Sequence, residues 1–539
     1  MSRYAYEPFA YTRPPELRGA KGKRHPIIIV GAGPVGLAAV IDCALRGVKC
    51  VVLDDNDVVS LGSRAICWSK RTLEIMDRLG VGDRMVEKGV TWKVGRLFHR
   101  DREVWNFDLQ PEPGHKMPAF VNLQQYYVEQ YLVERAGAFP GLIDLRWKNR
   151  VTAVEQLGDG VRVSVTTPDG DYRMETDWLI ACDGARSPVR GMLGLDFEGK
   201  VFEERFLIAD VEMQADFPPE RWFWFEPPFH AGQSALLHKQ PDNIYRIDLQ
   251  LGWDADPDEE KKPENVIPRI ERVIGHRDFT LDWVSVYTFQ CRRLERFVHD
   301  RVIFAGDSAH IVSPFGARGG NGGIQDIDNL IWKLAMVVRG EAPKGLIASY
   351  DEERIFGADE NIRHSSRATA FMTPKTEMEK IFRDSVLELA GEHDFARKLV
   401  NSGRLSRPCS LAGLSLQTKA RTGPGFEVGA AMADAPVENG ETGWLLNHAG
   451  NGFTVMAVES DLPDTVPDGV MKLFVTRDRS RRANGAMTLI DKDGIVAERY
   501  GAGMTYLIRP DQHIAARFKA GESAEIAGAF GRATGGADG

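Results

Sequence analysis

The hydrophobic pattern near the start of the chain predicts a strand, a glycine turn, a helix and a second strand. Residues 26–30 are apolar without alternation, which is typical of a strand buried on both faces of a parallel sheet. Glycines follow within residues 31–36, residues 37–46 carry apolar side chains at helical spacing, and Gly47 favours a helix end. Residues 50–53 are again wholly apolar. The pattern therefore predicts a β-α-β unit.

The patterning changes several times along the rest of the chain. Residues 90–110 alternate as strands do, residues 125–136 have helical spacing, and residues 151–177 predict a small antiparallel meander. Residues 200–290 alternate and are rich in aromatic side chains, which predicts a separate antiparallel sheet with one wet and one covered face. Helical patterns dominate from Ile324 to about residue 400, and short apolar strands return after residue 410.

These changes predict an α/β chain of mixed α+β character with several domains, because 539 residues exceed what one core supports. Residues 1–25, rich in Pro, Tyr and Arg, predict an extended arm on the surface. We predict a discontinuous nucleotide-binding domain over residues 26–199 and 291–405, and a sheet domain over residues 200–290. Residues 410–539 predict a compact C-terminal α/β domain.

Composition and charge narrow the classes of function. A net charge of −9 argues against nucleic-acid binding, and no apolar run reaches the roughly 18 residues that a membrane span needs. The N-terminus lacks the apolar segment of a secretory signal. The six cysteines form no CxxC pair and no Cys/His metal spacing, so we predict no metal site and expect a reducing, cytoplasmic location.

The first glycine turn has the spacing of a dinucleotide-binding motif. Gly31, Gly33 and Gly36 follow a predicted strand and open a predicted helix. In that setting the first glycine makes the tight turn, the second lets a pyrophosphate approach the backbone, and the third lets helix and strand pack closely. Asp54 ends the second strand, where a carboxylate can accept from ribose hydroxyls, and Asp55 is the competing choice. The motif alone leaves NAD and FAD both open.

Two further segments combine a strand end with an acidic residue and glycines. In residues 301–330, RVIFAGDSAHIVSPFGARGGNGGIQDIDNL, an apolar strand runs into Gly306 and Asp307, and a helical pattern opens at Ile324 after a glycine-rich loop. Such a layout suits a carboxylate at a strand tip, with a helix N-terminus facing a ligand. The second segment, CDGARSPVR, begins at Cys182. No second GxGxxG motif with its own β-α-β unit is present.

The three segments, in this order and spacing, resemble the FAD-dependent aromatic monooxygenases, the single-component flavoprotein hydroxylases. The resemblance covers roughly the first four-fifths of the chain. In overall layout the chain is similar to phenol hydroxylase and 3-(3-hydroxyphenyl)propionate hydroxylase. The resemblance implies a Rossmann-like FAD-binding domain with an inserted antiparallel substrate sheet. The C-terminal domain is similar to the thioredoxin-like domain of these enzymes without its CxxC, which implies packing or dimerisation, and hence a possible homodimer.

The resemblance also implies roles for residues around the cofactor. Arg64, in a segment resembling the family's RA…RTLE motif, would face the ribityl-pyrophosphate region. Gln125 would hydrogen-bond the cofactor, with Gln124 as the alternative register. Asp183 and Gly184 would serve FAD and transient NADH or NADPH, and Arg186 could meet the phosphates of the nicotinamide cofactor. A purely structural pairing of Asp183 with Arg186 stays open.

The segment after residue 301 carries the roles nearest the flavin ring. Asp307, after Gly306, would bond the ribityl chain, and His310 is expected to support the loop. Pro314 would lie beside the isoalloxazine. N–H groups near the pyrimidine end would come from Gly319, Gly320, Asn321 and Gly322. The family often has Gly-x-Gly-Met-Asn here, whereas this chain has Arg-Gly-Gly-Asn.

The expected activity is hydroxylation of a phenolic or other aromatic small molecule with O2, through a hydroperoxide at the flavin C4a carbon. Some relatives keep an acid or a histidine before the RTLE helix to polarise the phenol, but this chain has Gly62 and Ile66 there. Candidate catalytic residues on the aromatic sheet are therefore His238, Tyr245 and Arg246, and alternation sends only one of the last two to the flavin face. Epoxidation or oxidation of a non-phenolic ring, and a non-catalytic FAD-binding role, are the alternatives.

Overall fold

The computed structural model describes residues 4–18, 24–400, 407–419, 423–519 and 525–536. Parts of the predicted N-terminal arm and of the predicted boundary between residues 405 and 410 therefore lie outside the described residues. Within them, no helix has both the length and the apolar character that crossing a bilayer would require.

The strands, in chain order, are β1 (His25–Val30), β2 (Cys50–Leu53), β3 (Cys67–Ser69), β4 (Val90–Trp92), β5 (Val94–His99), β6 (Arg102–Asp108), β7 (Phe120–Asn122), β8 (Ile143–Arg146), β9 (Arg150–Gln156), β10 (Val161–Thr167), β11 (Gly170–Ala181), β12 (Glu198–Glu212), β13 (Arg221–Phe225), β14 (Ser234–Lys239), β15 (Ile244–Leu251), β16 (Thr280–Arg293), β17 (Val298–His299), β18 (Val302–Phe304), β19 (His310–Ile311), β20 (Pro436–Asn439), β21 (Glu441–Trp444), β22 (Thr454–Val458), β23 (Met471–Thr476), β24 (Met487–Ile490), β25 (Met504–Ile508) and β26 (Ile514–Lys519).

The helices are α1 (Pro34–Leu45), α2 (Lys70–Leu79), α3 (Gly82–Lys88), α4 (Gln125–Ala136), α5 (Pro188–Met192), α6 (Pro257–Glu260), α7 (Pro263–Ile274), α8 (Gly319–Val338), α9 (Ala348–Met372), α10 (Glu377–Ala390), α11 (Asp394–Val400), α12 (Ile495–Tyr500) and α13 (Ile526–Ala533).

A mostly parallel sheet forms the centre of the first part of the chain. Its order is β17-β18-β11-β1-β2-β8, with β9 and β10 extending it through an antiparallel meander on β11. Residues 27–29 of β1 are fully buried, because helices cover the sheet. The predicted β-α-β unit and the meander are confirmed. Since β1, β11 and β18 run parallel, the segments that follow them meet at one edge.

The second sheet is antiparallel apart from the β13–β5 pair, in the order β19-β16-β12-β15-β14-β13-β5-β6. The prediction of a separate sheet over residues 200–290 was too narrow. Strands β5 and β6, from residues 94–108, join its edge, although the pattern gave them to the nucleotide-binding domain. The alternation of apolar and polar residues predicts that these strands form a hairpin, but it does not predict which sheet the free edge of the hairpin pairs with.

The C-terminal part forms a mixed sheet of its own, in the order β21-β20-β24-β23-β22-β25-β26. Strands β22, β23 and β24 pair in parallel, while β25 and β26 form an antiparallel hairpin. The tip of that hairpin is buried against α2, α8 and α9 through Arg509 and Asp511. The likeness to thioredoxin stays a prediction.

Candidate active site

One cavity of about 1110 Å³ runs from the glycine turn after β1 to one face of the antiparallel sheet. Small-molecule pockets are typically ~300–1,000 Å³, so this one has room for a dinucleotide and a second small ligand. Its wall contains most of the predicted site residues, namely Gly31, Gly33, Asp54, Arg64, Gln125, Asp183, Gly184, Arg186, His238, Arg246, Asp307, Pro314, Gly319, Gly320 and Asn321.

The glycine turn after β1 is shaped by two close backbone approaches. Gly31 has φ +101°, and a Cβ atom there would lie 2.5 Å from the carbonyl oxygen of Cys182. A Cβ atom on Gly36 would lie 1.9 Å from the carbonyl oxygen of Gly31. A Cβ on Gly33 would meet only Oε1 of Glu129, at 4.0 Å. The turn therefore leaves open space at the middle glycine, where α1 begins without a side-chain cap.

The carboxylate of Asp54 supports this turn from the end of β2. Its Oδ2 accepts from the backbone N–H of Ala32 at 2.5 Å, and its Oδ1 accepts from the N–H of Asn56 at 2.8 Å. Burial raises the pKa of Asp54, while these two N–H donors favour its charged form. The neighbouring Asp55 also lines the cavity but is exposed.

Gln125, at the start of α4, faces the cavity, whereas Gln124 does not. The Gln125 side-chain oxygen accepts from the N–H of Ala65 at 3.2 Å, and its amide nitrogen donates to Glu129 at 2.8 Å. Gln124 is fully buried and donates to the carbonyl oxygen of Pro241. Of the two glutamines, only Gln125 is therefore placed to meet a ligand in this cavity.

The loop over residues 60–66 is held from two sides. The N–H of Gly62 donates to the Tyr6 hydroxyl of the N-terminal arm at 2.9 Å, and a Cβ on Gly62 would lie 2.2 Å from the Trp283 indole nitrogen. Arg246 donates to the carbonyl oxygen of Arg64 at 2.6 Å. Arg64 itself adopts φ +34°, a region that side chains disfavour, and its side chain is exposed along the cavity.

Asp183 and Gly184 follow β11 and form a second part of the wall. Oδ2 of Asp183 accepts from the N–H of Val189 at 2.9 Å, while its Oδ1 is buried and has no hydrogen-bond partner among the described residues. Burial raises the pKa of this carboxyl. No ion pair joins Asp183 to Arg186 in the described part of the chain; Arg186 is instead exposed at the cavity.

Asp307 follows β18 and lies in the same cavity. Among the described residues its carboxylate accepts no hydrogen bond, and burial raises its pKa. Behind it, Asp326 accepts from the N–H of Gly306 at 2.9 Å and bonds His310 at 2.7 Å. His310 is 1% exposed and does not line the cavity, so it supports the loop as expected.

Helix α8 begins at Gly319, five residues before the predicted start at Ile324. The glycines at its start have low intrinsic helix propensity, which is why the pattern placed them in the loop. Its first turn has no side-chain cap, so the first N–H groups of the helix have no intrahelical acceptor, and Gly319 and Gly320 line the cavity. Pro314 is exposed and lines the same cavity.

The next two residues of α8 act differently from the prediction. Asn321 lines the cavity, but its amide donates to the carbonyl oxygen of Cys67 at 2.9 Å and accepts from the N–H of Ser69 at 3.0 Å. The prediction for Gly322 was wrong. Its N–H donates to the carbonyl oxygen of Arg318 at 2.7 Å within the helix, because it lies too far along α8 to have a free N–H.

A row of polar side chains crosses the cavity face of the antiparallel sheet. Arg221, His238, Arg246, Asp210 and Trp283 are direct neighbours on β13, β14, β15, β12 and β16. Burial lowers the pKa of His238 well below its usual value, and the two arginines act in the same direction. His238 is therefore a neutral hydrogen-bonding group at neutral pH.

The guanidinium of Arg246 is already engaged by protein groups. It donates to Asp210 at 2.9 Å, to the Ser63 hydroxyl and to the backbone of Arg64. Both side chains of the ion pair are buried, at 6% and 0% exposure. Arg246 thus joins the sheet to the loop over residues 60–66 and also lines the cavity.

The prediction that Tyr245 is catalytic was wrong. Alternation places Tyr245 on the opposite face of β15 from Arg246, where it is 1% exposed and its hydroxyl donates to the carbonyl oxygen of Ala215 at 2.7 Å. That face packs on α7 and forms a separate hydrophobic cluster. Sequence analysis left this choice of face open.

Sequence reasoning also missed residues on this wall. Asp248 lies two positions after Arg246 and lines the cavity, as Ser285 and Arg221 do. Alternation along β15 was sufficient to place Asp248 beside Arg246. Asp210, the partner of Arg246, could not be found in this way, because the register between β12 and β15 is set by distant parts of the chain.

The cradle formed by the glycine turn, Asp54, Asp183 and Asp307 fits a dinucleotide. It offers N–H groups at two helix N-termini for phosphates and carboxylates for hydroxyl groups. The orphaned Oδ1 of Asp183 and the open space at Gly33 point to the same fit.

Comparisons with known proteins agree. Residues 24–365 match the family model described as an FAD binding domain. A 12-dehydrotetracycline 5-monooxygenase/anhydrotetracycline 6-monooxygenase of Streptomyces rimosus is 31% identical over 68% of this chain and 73% of its own length. A dialkyldecalin synthase of Streptomyces rugosporus is 28% identical over 88% of this chain and 95% of its own.

The fold is shared with the solved flavin-dependent monooxygenase PieE, whose structure contains FAD and substrate. The TM-score is 0.75 at 22% identity, over 95% of this chain and 99% of PieE. The predicted fold class and family are therefore confirmed, and the chain belongs to the FAD-dependent aromatic monooxygenases.

Proposed function

We propose that this chain uses NADH or NADPH and O2 to hydroxylate a phenolic or other aromatic small molecule at its FAD. The main support is the continuity of one cavity from the glycine turn to the antiparallel sheet, because such a cavity could hold a cofactor and a substrate side by side. The aromatic C–H, O2, NAD(P)H and a proton give the aromatic C–OH, NAD(P)+ and water. One oxygen atom enters the C–H bond, and the other leaves as water.

Most of the residues proposed to hold FAD line the cavity. Gly31 and Gly33 would let the pyrophosphate approach the backbone, and Gly36 would keep α1 close to β1. Asp54 would accept from ribose hydroxyls. Ribityl and ring contacts are proposed for Arg64, Gln125, Asp183, Asp307, Gly319 and Gly320. Bound FAD would supply the acceptor for hydride and, once reduced, the chemistry that activates O2.

NAD(P)H is proposed to bind only transiently, near Arg186. Arg186 lines the cavity and is exposed, and a Cβ on Gly184, two residues earlier, would meet no atom within 4 Å. A planar guanidinium at this position suits the phosphates of an incoming dinucleotide. The residue would then act on cofactor reduction and not on FAD affinity.

The sheet face and Pro314 would hold the substrate and keep water away. Phe206, Ile208, Leu236 and Phe289 give the wall near Asp248 an apolar character. An apolar, enclosed site protects reactive oxygen species from water and strengthens each remaining polar contact. His238 would offer a neutral hydrogen-bonding group to the substrate.

A second function deserves a test because of one relative. The match to the dialkyldecalin synthase spans more of this chain than the match to the tetracycline monooxygenase. If this chain worked as that relative is named, it would make a dialkyldecalin rather than hydroxylate an aromatic ring. Consumption of NAD(P)H and O2 distinguishes the two functions.

We expect the purified yellow protein to oxidise NADH or NADPH faster when a suitable phenol or phenolic acid is present. The products should be heavier by one oxygen atom, with the label from 18O2. If a compound stimulates oxidation of NADH or NADPH but no oxygenated product forms, the compound binds but is not the substrate. No stimulation by phenolic, non-phenolic aromatic or polycyclic compounds, despite bound FAD, would contradict the proposed hydroxylation and favour a non-oxidative role.

A further inference from the structure

One carboxyl on the cavity face of the sheet lacks a protein partner. Asp248, on β15, has Ile208 and Leu236 as its direct neighbours on β12 and β14. The side chain lines the cavity, and its Oδ1 is buried without a hydrogen-bond partner among the described residues. A buried carboxyl group without a donor is costly, so it indicates a missing partner.

The charged groups around Asp248 do not supply that partner. Arg246 on the same strand is bound to Asp210, and neither donates a hydrogen bond to Asp248. Arg221 on β13 attracts Asp248 only at longer range, and His238 on β14 is neutral. Cys67 and Tyr287 on β3 and β16 also line the cavity, and burial raises the pKa of Cys67 to about 11 and the pKa of Tyr287 well above its usual value, so neither carries charge at neutral pH.

Burial raises the pKa of Asp248 to about 6, against the pull of Arg246 and Arg221. The carboxyl is therefore mostly ionised at neutral pH and able to accept. An acceptor in this apolar surrounding favours a ligand that brings its own O–H or N–H donor. A second anion, such as an aryl carboxylate, would meet repulsion at the same place.

We propose that Asp248 accepts a hydrogen bond from the hydroxyl group of an aromatic substrate, which makes it the group that activates the ring. This inference rests on the proposed function. Drawing the hydroxyl proton toward the carboxylate raises electron density at the ring carbons ortho and para to that hydroxyl. The hydroxyl proton would pass to Asp248 as the ring carbon gains its new C–O bond and the O–O bond of the activated oxygen breaks, and the second oxygen atom would leave as water. The C–H proton that the ring loses on regaining aromaticity would go to that water, and Asp248 would return its own proton to the ring oxygen.

The Asp248→Asn variant tests this role with little change in size. With the phenol that the wild type hydroxylates, we expect kcat to fall by about 10²–10⁴-fold, the usual contribution of a positioned acid–base group, with a smaller change in KM. The visible spectrum of bound FAD should stay that of the wild type. In the wild type kcat/KM should fall as pH drops below about 6, because the accepting form is lost, and this limb should be absent in the variant.

Binding of the substrate's methyl ether gives a readout that a merely structural role would not change. The ether lacks the O–H donor, so the wild type should bind it more weakly than the phenol. Asparagine can donate to the ether oxygen, so Asp248→Asn should narrow or reverse that preference. Asp254→Asn is the matched control, since Asp254 is exposed just after the same strand and should retain wild-type rates.

The outcomes separate this inference from the proposed function. If the wild type hydroxylates no phenol, the proposed function fails before Asp248 is tested. Suppose that the wild type hydroxylates a phenol and that Asp248→Asn keeps kcat within threefold of the wild type. If the variant also keeps the fall of kcat/KM at low pH and the preference for the phenol over its methyl ether, then Asp248 is not the acceptor. If Asp248→Asn loses FAD, the variant is first reconstituted with FAD, and binding of the phenol and of its methyl ether is then measured. An unchanged preference for the phenol over the ether overturns the inference.

Discussion

Gly33→Ala is expected to leave the FAD-free protein folded and to weaken FAD binding by about a hundredfold or more. Its φ of −76° suits any residue, and a Cβ there has only one neighbour, 4.0 Å away. The free energy of unfolding should thus stay within about 0.5 kcal/mol of the wild type. The same Cβ would stand where a pyrophosphate must approach the backbone, and a hundredfold loss corresponds to about 2.7 kcal/mol. FAD titration of the apoprotein and urea unfolding measure the two quantities.

Gly36→Ala, three residues further on, should instead destabilise the protein itself. Its Cβ would lie 1.9 Å from the Gly31 carbonyl oxygen, a backbone atom that cannot rotate away. Overpacking typically costs about 1–3 kcal/mol, and this contact is at the severe end. Gly141→Ala is the control, because Gly141 is exposed and has no atom within 4 Å of an added Cβ. Wild-type FAD affinity in Gly33→Ala would exclude the glycine turn as the pyrophosphate site.

Arg509→Met is expected to lower the free energy of unfolding by about 3–5 kcal/mol, the usual cost of leaving buried charges without their partner. Arg509 is fully buried at the tip of the β25–β26 hairpin and donates to Glu353 at 2.9 Å and to Asp511 at 3.0 Å. Met has a similar volume but leaves the carboxylates of Glu353 and Asp511 without their arginine. Lys333 remains as a cation beside Glu353, with its Nζ 2.7 Å from Oε2. Urea unfolding followed by limited proteolysis would show the loss and whether the C-terminal sheet detaches first.

The pH dependence of stability gives a second test of the same cluster. Arg509 lowers the pKa of both Glu353 and Asp511. Carboxyls with a lowered folded pKa stabilise the fold above their unfolded pKa of about 4, and that contribution is lost as pH falls. Arg509→Met should therefore lose less stability than the wild type between pH 5 and 2, on the order of a few kcal/mol or less.

Arg481→Ala is the matched control for the arginine cluster. Arg481 lies in the same C-terminal part, is 41% exposed and pairs with Asp461 at 2.9 Å. Exposed ion pairs contribute about 0–1 kcal/mol, so this variant should unfold near the wild type. A loss below about 1 kcal/mol in Arg509→Met would show that the cluster is replaceable by apolar packing, as happens for some buried ion pairs.

Local patterns in the sequence were sufficient for the β-α-β unit and for α4, whose predicted bounds are those observed. They were not sufficient where the outcome depends on a distant partner. Alternation shows that Tyr245 and Arg246 point to opposite faces of β15, but only the packing of α7 decides which face is covered. Helix α8 starts at Gly319 against its glycine-rich composition, because tertiary packing overrides propensity.

The placement of three carboxyl groups in the cavity wall was predictable from the sequence, because Asp54, Asp183 and Asp307 each lie within three residues of the end of a strand in one mostly parallel sheet. The polar residues of the other wall lie on a mostly antiparallel sheet whose strands are joined in a non-consecutive order. The pairing of Arg246 with Asp210 therefore could not be inferred from either strand alone.

The buried hairpin tip has a consequence for synthesis on the ribosome. Glu353 is made roughly 160 residues before Asp511, an interval of about 8–30 s at typical translation rates of about 5–20 residues per second. During that time α9 has been made, but Arg509, which will pair with its Glu353, has not. The nascent flavin domain therefore carries an incomplete charge cluster until Arg509 is made. A chain truncated before β25 would lack Arg509, so its charge cluster would stay incomplete. We expect chaperones to retain such a chain.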